Sequence, residues 1–218
     1  MPSDPDFWLK AASAIVAAIG AAAGLLTYSR AQRWKRVEYL VAQFAEMRRD
    51  EKAAIAMRLL DYGRSYIALP FKLPDSDTTE KLEAADGKGH LVAVGSSKLT
   101  FALIPHNQPE LPPKQPLHDY VRLCIDEFLI RLGVFNALKD LRLANQEELD
   151  TVVGYWLETV AGKTKAAEGR KDVFLALRWY IQVYGFENVR DLALSFDLDL
   201  SITEEEKRAL LERVSRRS

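Results

Sequence analysis

The chain is poor in the residues that carry most protein chemistry. Its 218 residues include one cysteine, Cys124, and three histidines, His90, His106 and His118. A single cysteine excludes an intramolecular disulfide and leaves a cysteine-based metal site without ligands. Cys124 lies among Leu123, Ile125 and Phe128, the setting of a small buried apolar side chain. No histidine stands in an HExxH pattern, and none is preceded by an arginine at the spacing of the HEPN nuclease motif. Asp86 with His90, and His106 with Glu110, have helical metal-ligand spacing but lie among glycines or prolines. Two ligands without a helix to align them do not make a zinc site.

Charge of one sign is lacking too. The formal net charge is -1, so no global field draws the chain to nucleic acid. There is no glycine-rich dinucleotide loop and no nucleophile elbow. "AGKT" (Ala161–Thr164) shares its last residues with a phosphate loop, but Leu157 stands where the loop's first glycine belongs, and a helix precedes it. Asp126 and Glu127 are adjacent, so a helix points them apart, and Arg122 has the spacing to pair with Asp126. No catalytic residues, metal site or cofactor are expected from these patterns, and no internal repeat is visible.

One long uncharged run is present. From Ala11 to Ser29 there is no charge, and Arg30, Arg33, Lys35 and Arg36 follow at once. As a helix the run is about 28 Å long at ~1.5 Å per residue, close to a hydrocarbon layer of about 30 Å. Trp8 and Tyr28 stand where interfacial aromatics belong, and Lys10 is near enough to the end to snorkel. A secretory signal needs a basic start, whereas this one reads "MPSDPD". A buried core helix explains the length but not the cations at one end. The run therefore reads as a retained single-pass anchor. The cations place the C-terminal part in the cytoplasm and the N-terminus outside. Gly20 and Gly24 form a GxxxG pattern, and Ser13, Ala17, Ala21 and Gly24 follow one another at spacings of four and three, a small-residue face of the kind that lets two helices approach in lipid.

Beyond Arg30 neither proline nor glycine occurs before Gly63. Trp34, Val37, Val41, Phe44 and Met47, then Ile55 and Leu59, recur at helical spacing. The anchor is expected to continue into a long amphipathic helix, with a break near Arg48–Lys52. Residues 65–69 and 91–94 are β-prone and can pair as a ribbon, with Ser96 or Ser97 capping a short helix after it. Five prolines between Pro105 and Pro116 predict an extended connection. Apolar stripes then mark helices: Val121, Ile125, Phe128, Leu132 and Phe135; Leu149 to Val160 through Trp156; Phe174, Leu177, Ile181 and Tyr184. Asn145 with Glu148, and Thr203 with Glu206, have capping-box spacing, and Gly185 is a helix stop.

The expected architecture is all-α: a transmembrane helix running into a long amphipathic helix, then a cytoplasmic bundle with at most a minor two-stranded β element. The parts are a tail and anchor over 1–29, a helical domain over 30–200 and a tail helix over 201–218. "RWKRVEYLVAQF", "AMRLLDYGRSYI", "ALIPH", "IDEFLIRLGVF" and "WYIQVYGFENV" resemble bacterial proteins with one N-terminal span and a helical cytoplasmic domain. That resemblance implies the anchor and the bundle and carries over no site residue. The expected role is a membrane-anchored interaction module, with the lipid bilayer, a further copy of itself and an unknown protein as partners. It would sit in a bacterial inner-membrane assembly as scaffold, sensor or defence-type effector. The alternative is an enzyme or nucleic-acid effector with a site in the 70–118 region.

Overall fold

The computed structural model describes residues 5–69, 81–83, 90–106, 108–109 and 111–216. Helix α1 (Pro5–Arg49) is a single helix of 45 residues, about 68 Å long at ~1.5 Å per residue. It ends where expected, at Asp50. The Asp50 carboxylate accepts from the Ala53 amide at 2.9 Å and so caps α2 (Glu51–Tyr62). It also accepts from Arg131 at 2.9 Å, which fixes the corner to α4.

The face that α1 turns inward matches only part of the one its hydrophobic spacing suggested. Leu40 and Met47 are buried and Phe44 packs against the core, whereas Trp34 and Val41 are exposed. Val37, Leu40, Phe44 and Met47 also step by three and four. The sequence offers two overlapping stripes, and the position of α5 and α2 selects between them.

Gly63 ends α2 in a left-handed conformation (φ 67°). Strands β1 (Arg64–Leu69), β2 (Lys81–Glu83) and β3 (His90–Gly95) follow, ordered β1-β3-β2 and antiparallel. The expected ribbon forms, with Arg64 opposite Gly95 and Leu69 opposite His90, and the three-residue β2 extends it. Ile67, Leu69, Val92 and Val94 turn inward.

Helix α3 (Ser96–Leu103) begins directly from β3 with Gly95 at its cap position. Neither serine caps it; the Ser96 hydroxyl donates instead to the Gly63 carbonyl at 3.2 Å. Helix α4 (Pro116–Asp140) is central, with α2, α3, α5 and α7 packed on it. Its whole predicted stripe, Val121 to Phe135, is buried. Both capping boxes are present, on α5 (Gln146–Val160) and α8 (Glu204–Ser215). Between them lie α6 (Lys171–Val183) and α7 (Glu187–Leu194). Helix α8 packs on α6 through Leu210 and Val214. The "AGKT" segment is the end of α5: Gly162 takes φ 75° and the Lys163 amide reaches back to the Glu158 carbonyl at 2.9 Å. These are the marks of a helix stop.

Candidate membrane anchor and the cluster beside α3

The first half of α1 has no cover. Ile15, Val16, Ile19, Leu25, Leu26 and Tyr28 are all exposed. This is one helix long and apolar enough to cross a membrane, and none of the qualifying stretch is buried. In water such a band would expose far more contiguous apolar surface than soluble proteins carry. Gly20 and Gly24 have nothing within 4 Å of where a Cβ would be, and Ser13 and Ala17 are exposed alongside. Trp8 is exposed; the Lys10 side chain lies outside the described residues.

The second half of α1 is part of the domain. Two of the four cations expected at a membrane interface are engaged in protein contacts. Arg33 meets Glu147 at 2.8 Å and Arg36 meets Glu148 at 3.3 Å. The first pair is open to water. In the second, the Glu148 side chain is only 1% exposed. Glu148 holds two jobs at once: one oxygen accepts from Arg36, and the other closes the capping box on the Asn145 amide at 3.0 Å. Sequence spacing finds the capping box but not its second partner, which is 112 residues away. Among the described residues Arg30 and Lys35 make no side-chain bond.

Further along, Phe44 and Arg48 of α1, Met57, Arg58 and Asp61 of α2, and Trp156 of α5 line an open groove of about 430 Å³. Asp61 accepts a hydrogen bond from the Tyr155 hydroxyl beside it.

A second polar grouping lies where α3 ends. Lys114, from the proline-rich connection, directs Nζ to the carbonyl oxygens of Phe101, Ala102 and Ile104 at 2.5, 2.8 and 2.5 Å. These are carbonyls that a helix C-terminus leaves without partners, and a cation there suits the dipole. All three ammonium hydrogens are spent on the cap. Burial, with Arg122 nearby, pushes Lys114 down to about 7.

Arg122 is 6% exposed. It does not pair with Asp126 as its spacing suggested. Its guanidinium lies 5.0 Å from the Tyr180 ring centre and 4.7 Å from that of Tyr184, and Nη1 has no hydrogen-bond partner. Asp126 accepts instead from the Tyr180 hydroxyl at 2.6 Å, while Glu127 pairs with Arg131 at 2.7 Å.

The histidines take different parts. His118 is buried, packs edge-on to Phe101, and accepts from the Gln115 amide at 3.1 Å through Nδ1, a capping role. His106 is half-exposed, with Nε2 3.8 Å from Asp119. Burial, then Arg122 and Lys114, hold its imidazole below the usual range. Asp86 and Glu110, the other halves of the two spaced pairs, lie outside the described residues. Cys124 is buried and its thiol is pushed up to about 12 by that burial, so it is not poised as a thiolate. Among the described residues no three metal-ligating side chains cluster. Lys114 was missed in the sequence because a proline-rich connection has no periodicity from which to infer a contact, and Arg122, on α4, was given the wrong partner because helical spacing sees only its own helix.

No protein-family model, curated protein or solved structure matches the chain. Its functional reading therefore rests on its own residues.

Proposed function

We propose that this chain is a membrane-anchored helical interaction module of a bacterial inner membrane. The observation that carries the reading is the division of α1. Its first half is apolar and uncovered. Its second half contributes Leu40 and Met47 to the core. An anchor that shares a helix with the domain core is not a dispensable leader. Cleavage near Ala21–Ala23 would leave Gly24–Ser29 as an apolar stub projecting from the folded domain. With Arg30 and Lys35 retained in the cytoplasm, the N-terminus lies outside and the bundle inside. Ser13, Ala17, Gly20 and Gly24 form the face for association with a further copy. The domain acts as scaffold, sensor or defence-type effector through protein contacts.

Membrane fractionation tests this. Full-length protein is expected to stay with the membrane through alkaline carbonate and to leave it only in detergent. Removing residues 1–29 is expected to release a soluble domain. Full-length protein soluble without detergent would refute the anchor.

The alternative, a membrane-tethered enzyme or nucleic-acid effector with its site in the 70–118 region, draws on one observation: beside that region, Arg122 Nη1 is buried and unbonded. Binding of inorganic phosphate or a nucleotide to the full chain, lost on His106→Ala, would support it. No binding across such a panel would remove it.

A further inference from the structure

Helix α5 runs in the same direction as the second half of α1. Glu147 meets Arg33, Glu148 meets Arg36, and Trp156 shares a groove with Phe44 and Arg48. The two series rise in step, so α5 begins at the end of α1 nearest the apolar band. The turn before α5 is nearer still. Ser29, the last residue of the band, precedes Arg33 by four residues, about 6 Å at ~1.5 Å per residue. The headgroup layer on each side of a bilayer is about 5–7 Å deep, the difference between a core of ~30 Å and a total of ~40–45 Å. The start of α5 therefore stands at the lower edge of that layer, and the α4–α5 turn stands within it.

That turn concentrates exposed leucines at the end of the bundle nearest the apolar band. It reads Leu141-Arg142-Leu143, with the leucines 68% and 50% exposed. Arg142 holds φ 58°, a left-handed position that glycine or asparagine usually takes at a helix end. The Leu143 amide reaches back to the Leu138 carbonyl at 2.9 Å, so the conformation is fixed. A third exposed leucine joins them. Gly133 lets α4 and α7 approach closely at Asn188, and Gln146 donates to the Ser195 carbonyl at 2.7 Å. Helix α7 thus climbs beside α4 to the same end, where Leu194 is 64% exposed. Lys139 and Asp140, which pair at 3.8 Å, cancel each other beside the turn, and Asp197, near Leu194 in the chain, offsets Arg142. Net charge is therefore not what would draw this rim to a surface.

We propose that this rim, Leu141, Arg142, Leu143 and Leu194, is a second membrane contact. Its leucines insert among the lipid headgroups, and Arg142 meets the phosphates. The domain then sits on the bilayer instead of hanging below it. The inference rests on the anchor reading, because α1 is what brings the rim to the lipid. Shallow burial of apolar side chains is weak alone but effective when a span supplies the proximity.

The test uses the full chain in phosphatidylcholine–phosphatidylglycerol vesicles, with Cys124→Ala and one new cysteine carrying an environment-sensitive fluorophore. Positions are Leu143 and Leu141 on the rim, Lys163 at the opposite end of α5, and Ile19 in the span. The quencher is a lipid spin-labelled near its headgroup. At least about twofold quenching is expected at 143 and 141, with Lys163 unaffected. Solvent-like, unquenched emission at both rim positions, while Ile19 is quenched, would overturn the inference and leave the anchor standing. Blue-shifted but unquenched emission at the rim would also overturn it, because protein and not lipid would then cover the leucines. An unquenched Ile19 would remove the anchor and this inference together.

Discussion

Replacing Glu148 with alanine perturbs the joint between α1 and the bundle at its most buried point. The substitution removes two interactions made by one carboxylate. The Asn145 amide loses its acceptor, and Arg36 loses its partner. Loss of a helix cap costs about 0.5–2 kcal/mol. The carboxylate itself is buried, and hydrogen bonds to a charged group are worth about 1.5–3 kcal/mol. Arg36 is itself 43% exposed and can turn to water, so its share is small, about 0.5–1 kcal/mol. Because the two losses share a side chain they do not simply add, and about 2–3 kcal/mol is expected for the whole. For a domain of this size that lowers Tm by roughly 5–10 °C. Glu147→Ala is the internal comparison. It sits one residue away and makes a shorter contact, 2.8 Å, but both partners are mostly exposed. It should cost under about 1 kcal/mol. Thermal unfolding of the full chain in detergent, followed by tryptophan fluorescence, separates the two. A double-mutant cycle with Arg36→Ala should return a coupling of about 0.5–1 kcal/mol. Equal, small shifts for the two glutamates would refute the argument, because burial and the cap would then count for nothing.

Trp156→Ala, which removes the ring packed edge-on to Phe128 at 5.7 Å, should cost about 3–5 kcal/mol in the same melt; an unchanged melt would mean the ring is not part of the core. Gly20→Ile with Gly24→Ile should preserve insertion but lower helix proximity in the span, read by single-cysteine crosslinking in a Cys124→Ala background; unchanged crosslinking would make the glycines incidental. The Thr203 amide hydrogen bond holds Glu206 below its usual carboxylate range. Its stabilising contribution is therefore present above about pH 4.5 and lost as pH falls through the lower folded value. Glu206→Gln should flatten the acid side of the stability profile, and an identical profile would show that the cap is not linked to the proton.

Local signals in the sequence were reliable wherever one residue's chemistry decides the outcome. Gly63 and Gly185 stop helices because each takes a left-handed conformation. Asn145 with Glu148 and Thr203 with Glu206 cap because a side chain can reach its own first turn. Periodicity also found the α4 stripe, where every candidate position is buried. It was half right on α1, where Phe44 and Met47 turn inward but Trp34 and Val41 do not, because two apolar faces overlap and only the neighbours choose between them. It also failed at Ser96, whose hydroxyl found the Gly63 carbonyl more than thirty positions earlier. The cluster of Lys114, Arg122 and Tyr180 was out of reach for the same reason: its members come from a connection, α4 and α6, and nothing local links them. The cations after the apolar band show both cases. Their clustering is plain in the sequence, but that Arg33 and Arg36 hold α5 while Arg30 and Lys35 do not depends on the tertiary fold.

The two halves of α1 bear on each other because no proline or glycine interrupts it between Arg30 and Arg49. Rotation of the span is rotation of the domain. At ~100° per residue, the face of Ser13, Ala17, Gly20 and Gly24 lies about 170° around the helix from the face of Val37, Leu40, Phe44 and Met47. Arg33 and Arg36 fall on the domain side, and Lys35 falls on the other. The bundle therefore hangs from the side of α1 opposite the small-residue face. Two copies brought together through Gly20 and Gly24 would carry their domains outward without a clash between them. A small-residue face on the domain side would have set the bundles against each other before the spans could touch. The same geometry fixes where contacts in the span should be found: near Ala17 and Gly24, and not near Ile15 and Ala22, which point with the domain.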